Sequence, residues 1–474
     1  MGRSPGLHPG GGVDTTTLLI RGGTVVGPDS ERHADVLVRD GRIEAVGEVT
    51  AAGIDVIDAG GLYVLPGVVD PHTHFSLDAG TGRTADDWVS GSASAAAGGV
   101  TTVINFATQH PGQGFEAALE AVRSEAEGAS HVDFSMHLNI TRLDRGWERE
   151  LDRVVDGGIS SAKVYTTYKG SVFYVDDHTI LRLMERSGEA GLLVQMHAES
   201  DDLLAGARRE LVEAGRTALA FHGAARPPLA ESEAVNRGLF FSRVTGSPIY
   251  FVHLSSPLSV DLVSEARARG LPSLAETCPH FLCLDDSVYA RPDAIRYLMT
   301  PPIRSAEMQS GLWERIARGE IQSVGSDHCG YSLEQRGGGD DFTSVSPGIP
   351  GVETSLSLLY TFGVARGRLD MPGLVRLLST NPARIFGLHP RKGMLAPGAD
   401  ADIVLFDPAA RGVLTSQELH SAAGFSPYEG IDLRGRVRTT ISRGRVIYDR
   451  GRVIGSPGWG RFQERLPFDT THIV

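Results

Sequence analysis

Two histidines end a strand-like apolar segment near the start of the chain. The segment covers residues 67–74, and His72 and His74 stand two positions apart in it. Side chains at positions i and i+2 of a strand project from the same face, so both imidazoles can reach one metal ion. His-x-His pairs also occur in turns and in satisfied cores, so this pair predicts a metal site only together with the residues that follow.

Four later strand-like segments also end on a side chain that can bind a metal ion or carry a charge. These residues are Lys163, His197, His253 and Asp327. A single buried histidine is more often a core residue than a ligand, but such groups at five strand ends are hard to explain by core packing. Imidazole nitrogens and carboxylate oxygens are common ligands of divalent metal ions in proteins. The sequence therefore predicts a metal centre that combines these four residues with His72 and His74.

Lys163 fits this centre only in a modified form. An ammonium group beside divalent cations is repelled, and a lone buried lysine is costly to desolvate. If the amine has added carbon dioxide, the resulting carbamate is an anion whose two oxygens can bridge two metal ions. We therefore expect Lys163 to be carbamylated (N6-carboxylated).

Eight apolar strand-like segments alternate with helix-like stretches in the middle of the chain. This alternation is typical of a parallel sheet, and eight units over roughly 300 residues favour an α/β fold with a closed (β/α)₈ TIM-like barrel. An open, doubly wound sheet is the alternative. Chemistry in such barrels is located at the carboxyl ends of the strands, where the candidate ligands stand. The predicted strands are residues 64–75, 100–107, 132–140, 162–168, 192–199, 249–255, 273–281 and 321–327.

Two β-rich regions bracket the predicted barrel. Apolar and polar residues alternate in segments 17–26, 34–38 and 42–46, and again in segments 401–406, 437–442 and 445–448. Each region alone is too small to bury a stable core, so we predict one small β-sandwich domain built from both chain termini. The predicted organisation is a loose tail over 1–13, the small domain over 14–63 and 398–474, with a C-terminal tail at its end, and the (β/α)₈ barrel over 64–397.

Composition restricts the class of partner. The 474 residues carry a formal net charge of −13, which disfavours nucleic acid because nucleic-acid binding depends on clustered Lys and Arg. No stretch approaches the roughly 20 continuous apolar residues that span a bilayer, so no membrane partner is expected. The 3 cysteines are too few for a disulfide framework, and we expect a cytoplasmic protein.

Beyond these arguments, the chain resembles the amidohydrolase superfamily, and within it the cyclic amidohydrolases of the D-hydantoinase and dihydropyrimidinase branch. The resemblance implies two zinc-type ions, one held by His72, His74, Lys163 and Asp327 and the other by Lys163, His197 and His253. It also implies a homotetramer. The motifs that carry it are Asp70-Pro71-His72-Thr73-His74, Lys163-Val164-Tyr165-Thr166-Thr167-Tyr168-Lys169-Gly170, Glu276-Thr277-Cys278-Pro279-His280, Thr300-Pro301-Pro302-Ile303-Arg304 and Ser326-Asp327-His328-Cys329.

The resemblance further implies a reaction. A metal-bridging hydroxide would attack the carbonyl of a small cyclic amide, and Asp327 would move its proton to the leaving ring nitrogen. Tyr168, predicted to lie in the loop after the fourth strand, would hydrogen-bond the developing oxyanion. Ring opening of a hydantoin, a 5-substituted hydantoin or a dihydropyrimidine would yield an N-carbamoyl amino acid.

The chain departs from the family pattern on the substrate side. Thr300 stands where many relatives have serine, and Pro347 stands where the family usually has an asparagine that contacts the substrate ring. Proline keeps a carbonyl acceptor but has no N–H donor and no side-chain amide. An allantoinase or a cyclic imidase with the same metal site therefore stays open, as does a non-catalytic dihydropyrimidinase-related scaffold, although such scaffolds have lost metal ligands and this chain has not.

Overall fold

Eight parallel strands form the barrel that the sequence predicts. The computed structural model describes residues 17–50, 53–78, 82–337 and 339–472, and in it the eight strands are hydrogen-bonded in chain order. All residues of the second barrel strand, Val100–Thr108, are buried, as expected for a parallel strand that is covered on both faces. The tail predicted for residues 1–13 lies outside the described residues.

The elements are numbered along the chain. The strands are β1 Leu18–Val26, β2 Glu31–Arg39, β3 Arg42–Gly47, β4 Asp55–Asp58, β5 Tyr63–Pro66, β6 Val68–Thr73, β7 Val100–Thr108, β8 Asp133–Asn139, β9 Ser161–Tyr165, β10 Leu193–His197, β11 Ile249–Phe251, β12 Ser273–Thr277, β13 Ser323–Val324, β14 Ile403–Val413, β15 Asp432–Ser442, β16 Arg445–Asp449 and β17 Arg452–Val453. The helices are α1 Trp88–Ala97, α2 Phe115–Ala126, α3 Trp147–Asp156, α4 Asp177–Ala190, α5 Asp201–Glu213, α6 His222–Ala225, α7 Pro228–Thr245, α8 Pro257–Ala268, α9 Pro279–Cys283, α10 Ala306–Ala317, α11 Leu333–Arg336, α12 Ser355–Phe362, α13 Met371–Val375 and α14 Asn381–Ile385.

The barrel consists of β6 to β13, with helices between successive strands. Helix α4 illustrates how the sequence sets their ends, because the Asp176 carboxylate accepts the amide of Thr179 at its start and Gly191 ends it with φ +69. Inside the barrel, strand side chains such as Val69 and Tyr250 form an apolar cluster with Phe386. No helix among the described residues is long and apolar enough to cross a membrane.

The first and eighth barrel strands meet through side chains as well as backbone. The Asp70 carboxylate accepts the amides of His72 (3.0 Å) and Ser326 (3.1 Å), and the amide of His74 donates to the carbonyl of His328 (2.8 Å). Burial raises the pKa of Asp70 to about 6, and the hydrogen bonds from Ser326 and His72 oppose this rise. These contacts hold the end of β13 beside the His-x-His pair.

The first predicted barrel strand is in fact two strands. Residues 64–75 were one apolar run in the sequence, but β5 pairs with β1 and β14 in the smaller sheet, whereas β6 begins the barrel. Gly67 stands between them, where a Cβ atom would overlap the side chain of Thr101. The chain therefore passes from one sheet to the other at a residue without a side chain.

The smaller sheet is assembled from both ends of the chain, as the sequence predicts. Its strand order is β17-β16-β15-β14-β5-β1-β2-β3, with β4 also paired to β1. The nine strands belong to one continuous hydrogen-bonded sheet. Ile20, Val36, Ile403 and Ile441, from both termini, are buried in the same apolar core.

Candidate metal centre and active site

The six candidate ligands converge at the carboxyl end of the barrel. His74, Lys163, His197, His253 and Asp327 line a cavity of about 360 Å³. His72 is fully buried beneath it. The structure thus brings together residues that stand up to 255 positions apart, counted from His72 to Asp327 (327 minus 72).

Distances divide the candidate ligands into two adjacent groups. Oδ1 of Asp327 lies 3.2 Å from Nε2 of His72 and 3.2 Å from Nε2 of His74. The rings of His197 and His253 have centroids 4.5 Å apart, and His253 also stacks 5.3 Å from His72. Nζ of Lys163 is 2.9 Å from Nε2 of His72.

Strained backbone marks three of the candidate site residues. Tyr168, His253 and Asp327 have φ values of +70, +39 and +49, in the left-handed region that residues other than glycine rarely adopt. Such conformations persist where the surrounding structure holds them, and they are concentrated at functional sites. In His253 and Asp327 the turn comes two or three residues after a barrel strand ends.

Electrostatics favour the protonation states that a metal site needs. Burial lowers the pKa of His72, His74, His197 and His253, so these imidazoles are neutral and have a lone pair to share. Burial opposes ionisation of Asp327, but its close contacts with His72 and His74 hold the pKa of this carboxyl well below its usual range.

The surroundings of Lys163 do not suit a permanent ammonium group. Its side chain is fully buried, and Nζ lies 4.2 Å from the ring centroid of Phe106 and 4.9 Å from that of Tyr165. Within the part of the chain that the structure describes, no carboxylate lies within ion-pair distance of it. Burial lowers the pKa of Lys163 to about 8, which increases the fraction of neutral amine.

The donor set fits a pair of divalent cations. Four neutral imidazoles and one ionised carboxylate face one another, and Nδ1 of His74 is buried without a hydrogen-bond partner among the described residues. Gly325 leaves room for this packing, because a Cβ atom there would lie 2.7 Å from Cβ of His72 and 3.0 Å from Oε2 of Glu276. The glycine that follows β13 thus leaves room for His72 of β6.

The predicted substrate residues lie on one wall of the same cavity. Tyr168, Thr300 and Pro347 all line it, and the Tyr168 hydroxyl is 2.6 Å from Oγ1 of Thr300. Burial raises the pKa of Tyr168 to about 12, although the charge of Arg226 opposes the rise. The Tyr168 hydroxyl therefore keeps its proton and is available as a hydrogen-bond donor.

A comparison with known families agrees with this geometry. The model of the amidohydrolase family matches residues 63–447. The chain belongs to the amidohydrolase family. Membership implies a binuclear metal site and makes the protein a hydrolase.

Individual relatives of this amidohydrolase are similar over nearly the whole chain. A D-hydantoinase of Geobacillus stearothermophilus is 36% identical over 458 residues, which cover 95% of this chain and 97% of the relative. A D-phenylhydantoinase of Escherichia coli is 38% identical over 457 residues, which cover 95% and 98%. The crystal structure of dihydropyrimidinase from Brevibacillus agri superposes with a TM-score of 0.93 at 35% identity and covers 96% of this chain and 100% of that one.

Two carboxylates behind the ligands were not predicted as site residues. Glu276, in β12, lies 2.7 Å from Nδ1 of His72 and accepts the amide of His253 (3.0 Å) and the hydroxyl of Tyr250 (2.8 Å). Burial raises the pKa of Glu276 to about 7, and the Tyr250 hydroxyl opposes the rise. The contact of Glu276 with Nδ1 orients His72 so that Nε2 faces Asp327 and Lys163. An acidic residue inside an apolar strand was the signal that could have found it.

The second carboxylate is Glu199, two residues beyond the end of β10. It lies 2.7 Å from Nε2 of His197 and is paired with Arg226. Burial opposes ionisation of Glu199, but the charge of Arg226 and the hydrogen bond with His197 hold its pKa well below the usual range. Glu199 therefore accepts from Nε2 of His197, and Nδ1 is left with its lone pair.

Proposed function

We propose that this amidohydrolase opens the ring of a cyclic amide, namely a hydantoin, a 5-substituted hydantoin or a dihydropyrimidine, to give an N-carbamoyl amino acid. The observation that carries the proposal is the convergence of six candidate metal ligands on one cavity that also contains Tyr168. The names of the relatives, D-hydantoinase and dihydropyrimidinase, support the same class of substrate.

Two zinc ions are the cofactor that we propose. His72, His74, Lys163 and Asp327 would hold the first ion, and Lys163, His197 and His253 would hold the second. Imidazole and carboxylate donors suit zinc. Bound there, the ions would polarise the amide carbonyl and lower the pKa of water.

The environment of Lys163 supports the proposal that this lysine is carbamylated. The lone pair on neutral Nζ would form a bond to the carbon of carbon dioxide, and one N–H proton would leave, so that the side chain ends in a carboxylate. A buried amine with a pKa of about 8 offers the neutral form that this addition needs. The product turns a costly buried cation into an anion that two metal ions can share.

The remaining chemistry belongs to side chains of the chain itself. An oxygen of the Asp327 carboxylate would accept a proton from the attacking water and donate it to the leaving ring nitrogen. The Tyr168 hydroxyl, held against Thr300, would donate a hydrogen bond to the oxyanion as it develops. One such donor contributes about 3 to 4 kcal/mol in comparable sites.

The cavity wall favours an uncharged substituent on the ring. Among the described residues that line the cavity, charged side chains are confined to the metal-site candidates. The rest of the lining combines apolar groups with the hydroxyl groups of Ser171, Thr343, Ser344 and Ser346. Pro347 itself offers a carbonyl acceptor without an N–H donor. Because this wall differs from the family pattern, allantoin and cyclic imides are kept as second candidates. The apolar side chains of the lining include Leu77, Phe173, Met299, Val345, Pro347 and Ile349.

Ring-opening assays with parallel metal analysis test the proposal. We expect the purified protein to bind two metal ions and to convert hydantoin, 5-substituted hydantoins or dihydrouracil to N-carbamoyl products detected by mass spectrometry. Activity on allantoin or succinimide alone would shift the assignment to the second candidates. No ring opening of any of these compounds by protein with two bound metals would overturn the proposal and favour the scaffold alternative.

We also propose a cytoplasmic homotetramer. The three cysteines are free, which suits a reducing compartment. Leu229, Phe240 and Val244 on α7 are large apolar side chains that are at least half exposed in the single chain, and their spacing places them on one helix face. Sedimentation velocity should give four times the mass of the chain, whereas a monomer would contradict this part of the proposal.

A further inference from the structure

A buried ion pair lies between a candidate metal ligand and the candidate oxyanion donor. Glu199 is fully buried, and both Nε (3.0 Å) and an Nη atom of Arg226 donate to its carboxylate. The same carboxylate contacts Nε2 of His197 at 2.7 Å. The Arg226 side chain is 15% exposed, so water competes little for these hydrogen bonds.

The other side of the Arg226 guanidinium faces Tyr168. Its central carbon lies 5.5 Å from the centroid of the Tyr168 ring, within the range of a cation–π contact. The backbone carbonyl of Arg226 accepts a hydrogen bond from Arg304, which ties this residue to the segment that follows Thr300. The guanidinium is therefore fixed from two directions.

We propose that Arg226 is a positioning residue that couples His197 to Tyr168, fixing through Glu199 the imidazole that would hold the second metal ion and placing its own charge against the Tyr168 ring. The inference rests on the proposed function for the roles of His197 and Tyr168. Neither Arg226 nor Glu199 would touch the substrate.

The chemistry of arginine explains why this residue type stands here. Its planar guanidinium binds a carboxylate through two parallel N–H groups and at the same time presents a flat face to an aromatic ring. A lysine ammonium is a point charge and cannot hold both geometries. A fixed positive charge beside the ring also strengthens hydrogen-bond donation by the hydroxyl.

Three single variants test the coupling. Arg226→Met removes both the charge and the planar guanidinium with its two parallel N–H groups. Arg226→Lys keeps only the charge, and Arg315→Met is the matched control. Arg315 forms a comparable two-pronged ion pair with Asp261 on the outside of the barrel, with 17% exposure. Thermal unfolding of all three checks that they fold, and Arg226→Lys serves if Arg226→Met does not.

The first measurement needs no activity. In metal-free protein labelled with nitrogen-15 at histidine, NMR should report His197 protonated at Nε2 in wild type and in Arg315→Met, but mixed between its tautomers in Arg226→Met. Chelator competition should show the second metal ion bound about 10- to 100-fold more weakly in Arg226→Met, the range known for partners behind a metal ligand. An unchanged tautomer together with metal affinity equal to that of Arg315→Met would overturn the His197 half of the coupling.

The second measurement is kinetic, at metal concentrations that saturate both sites. Arg226→Met should lower kcat about 10- to 100-fold with a KM change below about threefold. The same substitution made in the Tyr168→Phe variant should lower kcat by a much smaller factor, because the hydroxyl that Arg226 acts upon is already absent. If Arg226→Met lowers kcat by the same factor in wild type and in Tyr168→Phe, the proposed coupling to Tyr168 is overturned. If wild-type protein opens no cyclic amide, the proposed function fails, while the tautomer and affinity measurements still decide the coupling to His197.

Discussion

At the residue scale, Lys163 is the side chain on which the two-metal proposal depends. The chain contains only three lysines, Lys163, Lys169 and Lys392, and Lys163 is the one buried beside histidines. Because Lys163→Ala removes the bridging carbamate, we expect loss of the paired metals and a fall in kcat of at least about 10³-fold. Added short carboxylic acids should partly restore activity by supplying the missing carboxylate. Elemental analysis and ring-opening rates measure both effects.

Lys169→Ala is the matched control for this prediction. Lys169 lies six residues further along the chain, on the surface, where Nζ is paired with Asp202 at 2.6 Å. The control should keep its metal content and its activity. Full metal stoichiometry in Lys163→Ala would contradict the bridge, and so would intact-mass analysis that finds Lys163 as a bare amine in the active, metal-loaded protein.

Residue types at strand ends were sufficient to predict which candidate ligands the structure brings together, but not the groups that orient them. His72, His74, Lys163, His197, His253 and Asp327 have side chains whose chemistry is unusual in an apolar strand, so each could be recognised locally. The roles of Glu276 and Arg226 depend on distances across the barrel. Glu276 meets His72 over 204 positions of sequence, and no local pattern contains that information.

At the element scale, the eight barrel strands could be predicted because buried parallel strands are continuous apolar runs. The ends of these strands were harder to predict from the sequence. The run over residues 64–75 continues without a break from β5 into β6, although its hydrogen-bond partners change from the smaller sheet to the barrel. A change of partner leaves no mark in hydrophobicity, and only Gly67 indicates the crossing point.

The C-terminal segment gives a prediction at this scale. It lies along the start of β8, where the amide of Phe134 donates to the carbonyl of Arg461 (3.0 Å) and the amide of Gln463 donates to the carbonyl of Phe134 (2.7 Å). A Cβ atom at Gly460 would overlap the carbonyl oxygen of Val132. Gly460→Ala should therefore displace the segment and lower the free energy of unfolding by about 2 to 3 kcal/mol, measured by urea denaturation.

Gly206→Ala is the control for Gly460→Ala. Gly206 lies within α5, and a Cβ atom there meets nothing within 4 Å. Alanine has the higher helix propensity, so this variant should be more stable by about 0.5 to 1 kcal/mol. Equal changes in the two variants would show that the close contact at Gly460 does not hold the C-terminal segment.

At the scale of the whole molecule, a buried cluster of charges joins the barrel to the smaller sheet. Nζ of Lys392 lies 2.6 Å from Asp133 at the start of β8, and 3.0 Å and 2.7 Å from Asp400 and Asp402 just before β14. The guanidinium of Arg443, in the turn between β15 and β16, also contacts Asp133 at 3.1 Å. The cluster holds the start of β8, the third barrel strand, against the smaller sheet, at the end of the barrel opposite the candidate metal centre.

Lys392→Met should show that this cluster depends on its cation. Burial opposes the charge of Lys392, but the three aspartates raise its pKa above the usual value, so the wild-type contribution is complete throughout the neutral range and is lost only at strongly alkaline pH. The variant leaves buried carboxylates without their main cation. We therefore expect the free energy of unfolding to fall by about 3 to 5 kcal/mol at pH 7.5. Burial already raises the pKa of Asp402. Protonation of this carboxylate on acidification should therefore relieve the repulsion among the buried carboxylates and reduce the difference in free energy of unfolding, the gap, between the variant and wild type.

Urea denaturation at pH 7.5 and pH 5.5 measures this gap, with Lys169→Met as the control. Lys169 makes an exposed ion pair, and such pairs contribute little to stability, so its variant should match wild type at both pH values. A Lys392→Met deficit that stays constant between the two pH values would mean that the lost stability comes from packing and not from unpaired carboxylates. A deficit that shrinks on acidification identifies the cluster as the electrostatic connection between the sheet formed by the chain ends and the barrel that carries the site.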